Sequence, residues 1–201
     1  LYTTDTLVES VHFTEATASW EDRGWKAIAS NISDIAAMGG LPMNALITLG
    51  LPEQTNVEDV RSLYKGMINL AKDYAVTIIG GDIVRSPVLF ITVGMTGEIE
   101  SEPMLRSAAQ IGDMIGVTGY LGSSSGGLEV ILNNLSLDND IAQKLKQVHQ
   151  RPLPRIQQGR TLFHNGVKST MDISDGLVQD LSKLCRASKV AATLDMDKIP
   201  I

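Results

Sequence analysis

Residues 20–40, WEDRGWKAIASNISDIAAMGG, carry the reading from which the rest of the chain follows. Trp25, Ile28, Ala29, Ile32, Ile35 and Ala36 recur at three- and four-residue intervals, the spacing that gathers apolar side chains on one face of an α-helix. Ser19 with Asp22 three residues on approximates a capping box at the start. Gly39, Gly40 and Pro42 supply a stop, because glycine accepts a left-handed C-cap and proline cannot continue a helix. Lys26, Ser30 and Asp34 fall four apart on a second stripe, with Asn31 beside it, so a narrow polar seam runs among small residues. An isolated aspartate on a helix is ordinarily a solvated residue. Ala36, Ala37 and Gly39 argue for more here, since small side chains let another backbone or a ligand come close.

Before the helix, LYTTDTLVESVHF (1–13) reads as a strand that clusters the hard oxygens of Thr3, Thr4 and Asp5 and places His12 near its end, where a lone histidine is more often structural than catalytic. After it, 42–52 reads as a buried strand, and 56–74 as a second helix with Tyr64 beside its apolar face. Residues 75–82 form a strand that closes on Gly80, Gly81 and Asp82, and 88–99 form another. Strand, helix, strand, helix, strand, strand predicts an α+β unit with its helices on one face of the sheet. The other face needs a cover, and a second copy of the same sheet is the simplest one, so a homodimer is expected.

The polar segment 100–108, with the lone cation Arg106, divides the chain into a domain at 1–100 and another at 101–201. In the second, 114–118 reads as a strand feeding a Gly- and Ser-rich turn (119–127) and then a helix, the layout in which backbone amides meet an anion. Neither the Walker order nor Gly-x-Gly-x-x-Gly is present. Residues 138–150 predict a helix, and 149–163 begin another after two prolines, with Arg151, Arg155 and Arg160 making this the most basic stretch. STMDISDGL (169–177) reads as a short strand ending in Asp172, Ser174 and Asp175. Asp175 is placed to cap the helix that follows, and 190–201 predict a last strand.

Of 201 residues, 43% are hydrophobic and 20% charged, the balance of a globular protein with a substantial core. No apolar run approaches the roughly 18 residues of a membrane span and no basic leader opens the chain, so the expected compartment is the cytoplasm and no membrane partner is expected. One cysteine, Cys185, excludes a disulfide framework and a cysteine-rich metal site. A net charge of -6 argues against a nucleic-acid binder, yet is compatible with a nucleotide if divalent cations stand between carboxylates and phosphates.

That condition gives meaning to four acidic turns, TTD (3–5), SD (33–34), GGD (80–82) and DISD (172–175), each at the end of an apolar element. Converging carboxylates repel one another unless cations occupy the site, and a magnesium-bound polyphosphate meets that need. With KAIASNISDIAAMGG, IIGGDIVRSP, LRSAAQIGD, VTGYLG, RPLPR and MDISDGLVQDL, and with the opening TTDTLVESVHF, the chain resembles the thiamine-monophosphate kinase family of the aminoimidazole-ribonucleotide-synthetase-like superfamily along nearly its whole length.

The resemblance implies ATP-dependent phosphorylation of thiamine monophosphate to thiamine diphosphate with Mg2+. It implies a magnesium set matching Thr3, Thr4, Asp5, Asp34, Asp82, Asp172 and Asp175, nucleotide contacts at Gly81, Asp82, Arg106, Ser174 and Tyr64, and a substrate contact at His12. The implied fold is two-domain α+β, an N-terminal α/β sandwich whose sheet pairs in a dimer barrel plus a second α+β domain. The family's Gly-Asp-Asp and Gly-Gly-Glu-Asp segments lie outside this sequence, so a partial chain is expected. Ile83, Val84 and Ser123 depart from the family pattern. Two other readings remain: another ATP-dependent synthetase of the superfamily, and a magnesium-nucleotide binding protein without turnover.

Overall fold

The computed structural model describes residues 1–201. Its N-terminal half is a four-stranded sheet of β1 (Tyr2–Val8), β2 (Leu41–Leu51), β3 (Thr77–Arg85) and β4 (Phe90–Glu98), in the order β1-β4-β2-β3. β4 runs antiparallel to both neighbours, and β2 and β3 are parallel. A parallel pair needs a crossover, and α2 (Val57–Asp73) provides it. Together with α1 (Trp20–Ala37), α2 covers one face of the sheet. Alternation sends Leu7, Ala45, Ile47, Leu49, Ile91, Val93 and Met95 toward the helices, where they meet Ile28, Ile32, Ile35, Leu63, Met67 and Leu70 in one core.

The capping box at Ser19 and Asp22 is formed, and Gly39 follows the helix end with φ +80°. α1 is buried on more sides than an amphipathic stripe requires, because a third element, α5 (Ile156–His164), crosses it. A Cβ at Gly159 would lie 2.1 Å from the carbonyl oxygen of Ala36. The small residues at the end of α1 are thus explained by a helix backbone. RPLPR docks on the same layer: Trp25 Nε1 donates to Pro152 O at 2.9 Å and the Tyr74 hydroxyl to Pro154 O at 2.9 Å. Arg151 pairs with Glu21 and Asp22, and Arg160 donates to Gly39 O and Glu100, whose carboxyl it lowers to about 2. Two of the three arginines in the most basic stretch therefore bind the halves of this chain together.

The sheet's other face is uncovered. Tyr2 is 89% exposed and Leu46 51%.

The C-terminal half holds α3 (Ser123–Asn133), α4 (Asn139–Gln150), α5 and α6 (Leu177–Ser188), with a 3-10 turn at Met196–Lys198. The strands expected at 114–118, 169–177 and 190–201 are absent, which corrects those expectations. A strand needs a ladder partner, and these segments have none, so apolar runs alone did not make them strands. Ile111 and Met114 are 95% and 94% exposed as a result. A cavity of about 480 Å3, mainly apolar, opens between 109–117, α6 and 190–200. It lies in this unclosed half, apart from the acidic turns described below. No helix of the chain is long and apolar enough to cross a membrane.

Candidate active site

β1 and the last turns of α1 meet along one edge of the sheet. Alternation along β1 turns Thr3 and Asp5 toward α1, and the Thr3 hydroxyl donates to Asp34 Oδ2. From the C-terminal half, the loop before α6 brings Asp172 to the same place, where Ser33 Oγ donates to Asp172 Oδ2 at 3.1 Å. Asp5, Asp34 and Asp172, separated by as many as 167 positions in sequence, therefore form one cluster.

Electrostatics describe the cluster as a strained one. Burial pushes the Asp5 carboxyl above its usual range, the charge of Asp172 adds to the push, and His12 opposes it. Burial raises Asp34 as well, against the hydrogen bond from Thr3, with Asp5 adding repulsion and Arg106 relieving some of it. Asp172 is raised by burial first and then by Asp34, with the Ser33 hydroxyl in opposition. Each carboxylate thus disfavours ionisation of another, and desolvation disfavours it in all three.

The loop that carries Asp172 is held by a residue the sequence reading passed over. Asp180, 3% exposed, accepts the backbone N–H groups of Ser174 and Asp175 on Oδ2, both at 2.8 Å, and Lys183 Nζ on Oδ1 at 2.9 Å. Gly176 caps α6 with no side-chain bond, so the capping role expected of Asp175 is not the one it plays. Asp175 points instead to Lys183 and Gln179. Its spacing was the available signal: an aspartate five residues beyond Asp175, on the inner side of the helix that follows, is placed to bond back to the loop. Ser33 was visible only as half of the SD turn.

The remaining expected residues lie elsewhere. Thr4 faces the open side of the sheet, opposite Thr3 and Asp5. The register aligns Thr6, Thr92, Thr48 and Asp82 in one row across the four strands, so Asp82 also belongs to that open side, and its Oδ1 accepts only the neighbouring Ile83 N–H at 2.9 Å. Three strand spacings, about 14 Å, separate β1 from β3. Gly81 sits in β3 where a Cβ would lie 1.7 Å from Ile47 O, a position only glycine fits. Tyr64 is half-buried against the core in α2, the helix that touches β3, and burial raises its phenol. Arg106 is exposed and acts on Asp34 by charge, while Ser174 contributes its held amide. His12 Nδ1 accepts the Val8 N–H at 3.0 Å. The chain therefore brings together Thr3, Asp5, Asp34 and Asp172, with Arg106 in reach, and leaves Thr4, Tyr64, Gly81 and Asp82 apart.

The donor set is all oxygen, which suits a hard divalent cation. No three of the chain's His, Cys, Asp and Glu side chains converge closely enough to grip a metal ion by themselves. Magnesium does not require that, since it keeps several waters and is commonly held by one or two carboxylates plus phosphate oxygens. The cluster fits such an ion: three desolvated, mutually repelling carboxylates have only the exposed Arg106 and His12 as positive neighbours.

An α+β unit with helices on one face of a four-stranded sheet, joined through an acidic cleft to a second unit, defines the class. The chain belongs to the AIR synthase related proteins: the model of that family's N-terminal domain matches residues 1–99 and that of its C-terminal domain residues 110–201. Among its relatives is the thiamine-monophosphate kinase of Bacillus subtilis (strain 168), 40% identical over 98% of this chain and 62% of that protein. The crystal structure of thiamine monophosphate kinase from Aquifex aeolicus is 40% identical with a TM-score of 0.86, over 93% of this chain and 62% of that one. The structure of AaThiL complexed with AMPPCP and TMP aligns with a TM-score of 0.88 at 39% identity, covering 94% of this chain and 60% of that one. The chain spans about three fifths of the length of the curated relatives it matches.

Proposed function

We propose that this chain belongs to an enzyme that transfers the terminal phosphoryl group of ATP to thiamine monophosphate, giving thiamine diphosphate. The observation that carries the reading is the meeting of Asp5, Asp34 and Asp172, from three separate parts of the sequence, beside the hydroxyls of Thr3 and Ser33. The relatives named for this reaction, and the complex with AMPPCP and TMP, support the same assignment.

Both reactants are anionic, so the work is alignment and charge neutralisation, and no nucleophile from the protein is needed. When bound, magnesium supplies the Lewis acid that draws charge from the transferring phosphoryl oxygens. Asp5, Asp34 and Asp172 would hold it, with Thr3 and Ser33 fixing two of the carboxylates in place. Arg106 adds positive charge on the same side, and Ser174, its amide committed to Asp180, belongs to the nucleotide face. Ile83 and Val84, exposed on β3, leave the part of that strand after Asp82 without hydroxyl donors.

The homodimer is part of the proposal. The uncovered sheet face carries Thr4 and Asp82, and pairing with a second copy gives that face a cover and these two residues a neighbour to act on. In this arrangement Tyr64, Gly81 and Asp82 serve a nucleotide shared with the second copy. The domain division at 1–100 and 101–201 places the acidic cleft between the two units, and the cytoplasm is the expected compartment.

The test is incubation of the protein with ATP, MgCl2 and thiamine monophosphate, scored for ADP and thiamine diphosphate together. Formation of both supports the assignment. ADP with a different phosphorylated product favours another synthetase, and nucleotide binding without ADP favours a binding protein.

A further inference from the structure

The polar seam of α1 has a second end. Lys26 lies eight residues before Asp34, about 12 Å away along the helix axis. It is largely desolvated, which lowers its pKa, and no carboxylate offsets that burial. A half-buried ammonium without a counter-ion is disfavoured, and a structure that keeps one ordinarily has an anion for it to meet.

The recess beside Lys26 is lined by basic and neutral residues, with Asp5 acting on His12 and Glu9, Glu15 and Asp59 on Arg23 from outside it. Lys26 lines this small recess of about 10 Å3 together with His12, Thr17, Arg23, His149 and Gln150, and no Asp or Glu is among the lining residues. Arg23 is already committed: it donates to Ala18 O at 3.0 Å and lies over the rings of Phe13 and Trp20. Gln150 donates to Thr17 O at 2.9 Å. His12 is not committed in this way, since its Nδ1 accepts the Val8 N–H and its other ring nitrogen is left to donate. His149 shares Nδ1 with Ser124 Oγ at 3.1 Å, in the first turn of α3. Burial holds His149 below its ordinary range and the charge of Lys26 adds to this, so the two groups compete for a negative partner neither has.

Volume limits the ligand. A recess of about 10 Å3 admits one water-sized group. It therefore takes a single oxygen of an anion whose remainder lies outside the recess. Leu7 lines the recess and Asp5 joins the acidic cluster, two residues apart on the same face of β1, so an anion seated at Lys26 lies on the same side of the sheet as the acidic cluster.

We propose that Lys26, flanked by His12 and His149, is an oxyanion-binding subsite that takes one oxygen of the phosphate monoester of the acceptor and so distinguishes the phosphorylated acceptor from the free alcohol. The assignment to the acceptor rests on the function proposed above, whereas the oxyanion site itself rests on the recess and its unpaired cation.

The experiment compares the protein with Lys26→Met, which keeps the length and apolar stem of the side chain and removes its charge. Binding of inorganic phosphate, thiamine monophosphate, thiamine and Mg-AMPPCP is measured by calorimetry. Lys26→Met is expected to weaken inorganic phosphate and thiamine monophosphate at least tenfold, to leave Mg-AMPPCP and thiamine within twofold, and to melt no lower than the parent. Unchanged phosphate binding, equal weakening of thiamine, or a lower melting temperature with loss of every ligand would each overturn the subsite, the last by showing a structural role. Lys26-dependent phosphate binding in a protein that forms no thiamine diphosphate upholds the subsite and rejects the kinase reading. Turnover with an unchanged KM in Lys26→Met does the reverse.

Discussion

Asp180→Ala is expected to loosen the loop that presents Asp172, and the structure sets the scale. The substitution removes the acceptor of two backbone amides at 2.8 Å and of Lys183 at 2.9 Å. Hydrogen bonds to a charged group are worth about 1.5–3 kcal/mol each, but the Ser174 and Asp175 amides lie in an exposed loop and regain water, so a total loss of about 2–4 kcal/mol is expected. Lys183 keeps Asp175 as a partner and adds little to that loss. Asp180→Asn retains a neutral acceptor and should cost about half as much.

The pH dependence separates the two variants further. Burial alone would raise the Asp180 carboxyl, but Lys183 and the two amides outweigh it and hold the group below its ordinary range. A lowered folded-state value means the contribution is fully present above the unfolded value near 4 and is lost as pH falls through the folded one. The gap between parent and Asp180→Asn is therefore widest at neutral pH and closes below about pH 4. Urea denaturation across pH, with Mg-AMPPCP binding on the same samples, reads both effects. An Asp180→Ala protein within about 0.5 kcal/mol of the parent, with unaltered nucleotide binding, would refute the role given to this clamp.

Asp34→Asn has the opposite sign. Its carboxyl is raised in the folded state, by burial first, so without metal the neutral variant is more stable than the parent above that raised value and the advantage shrinks as pH falls below it. Thermal melts in EDTA from pH 4 to 8 check this, and a variant less stable throughout would contradict it. Gly159→Ala places a methyl group 2.1 Å from Ala36 O and should cost about 1–3 kcal/mol by prising α5 from α1, read in the same melts. The parent is expected to sediment as a dimer in analytical ultracentrifugation, and Leu46→Glu, in the uncovered sheet face, as a folded monomer. A dimer that survives would move the interface elsewhere.

The N-terminal half was legible because its signals are local. The 3.6-residue period of α1, its capping residues and the short apolar runs between prolines and glycines each determined an element independently of the others. Asp5 and Asp34 could be picked out because they interrupt such patterns near their ends. What the sequence did not disclose was sidedness: Thr4 and Asp82 share the acidic motifs of their neighbours, and only strand alternation and register turn them to the other face. In the C-terminal half, apolar runs at 114–118 and 190–201 predicted strands that lack ladder partners, a property no local pattern records. The stripe of Ala36, Ala37 and Gly39 was read as room for a ligand or a backbone, and Gly159, far along the chain, decided for the backbone. Lys26 was visible as part of the seam, but its lack of a counter-ion depends on what folds against it.

The central claim is that Asp5, Asp34 and Asp172 act together on a cation that carries a polyphosphate. Titration of Mn2+ into the protein with AMPPCP, followed by electron paramagnetic resonance, addresses it without requiring turnover. The account predicts saturable binding that weakens at least tenfold in Asp34→Asn and in Asp172→Asn and disappears in the triple variant with Asp5→Asn. Binding of the same strength in the triple variant, while that variant remains folded, would contradict it.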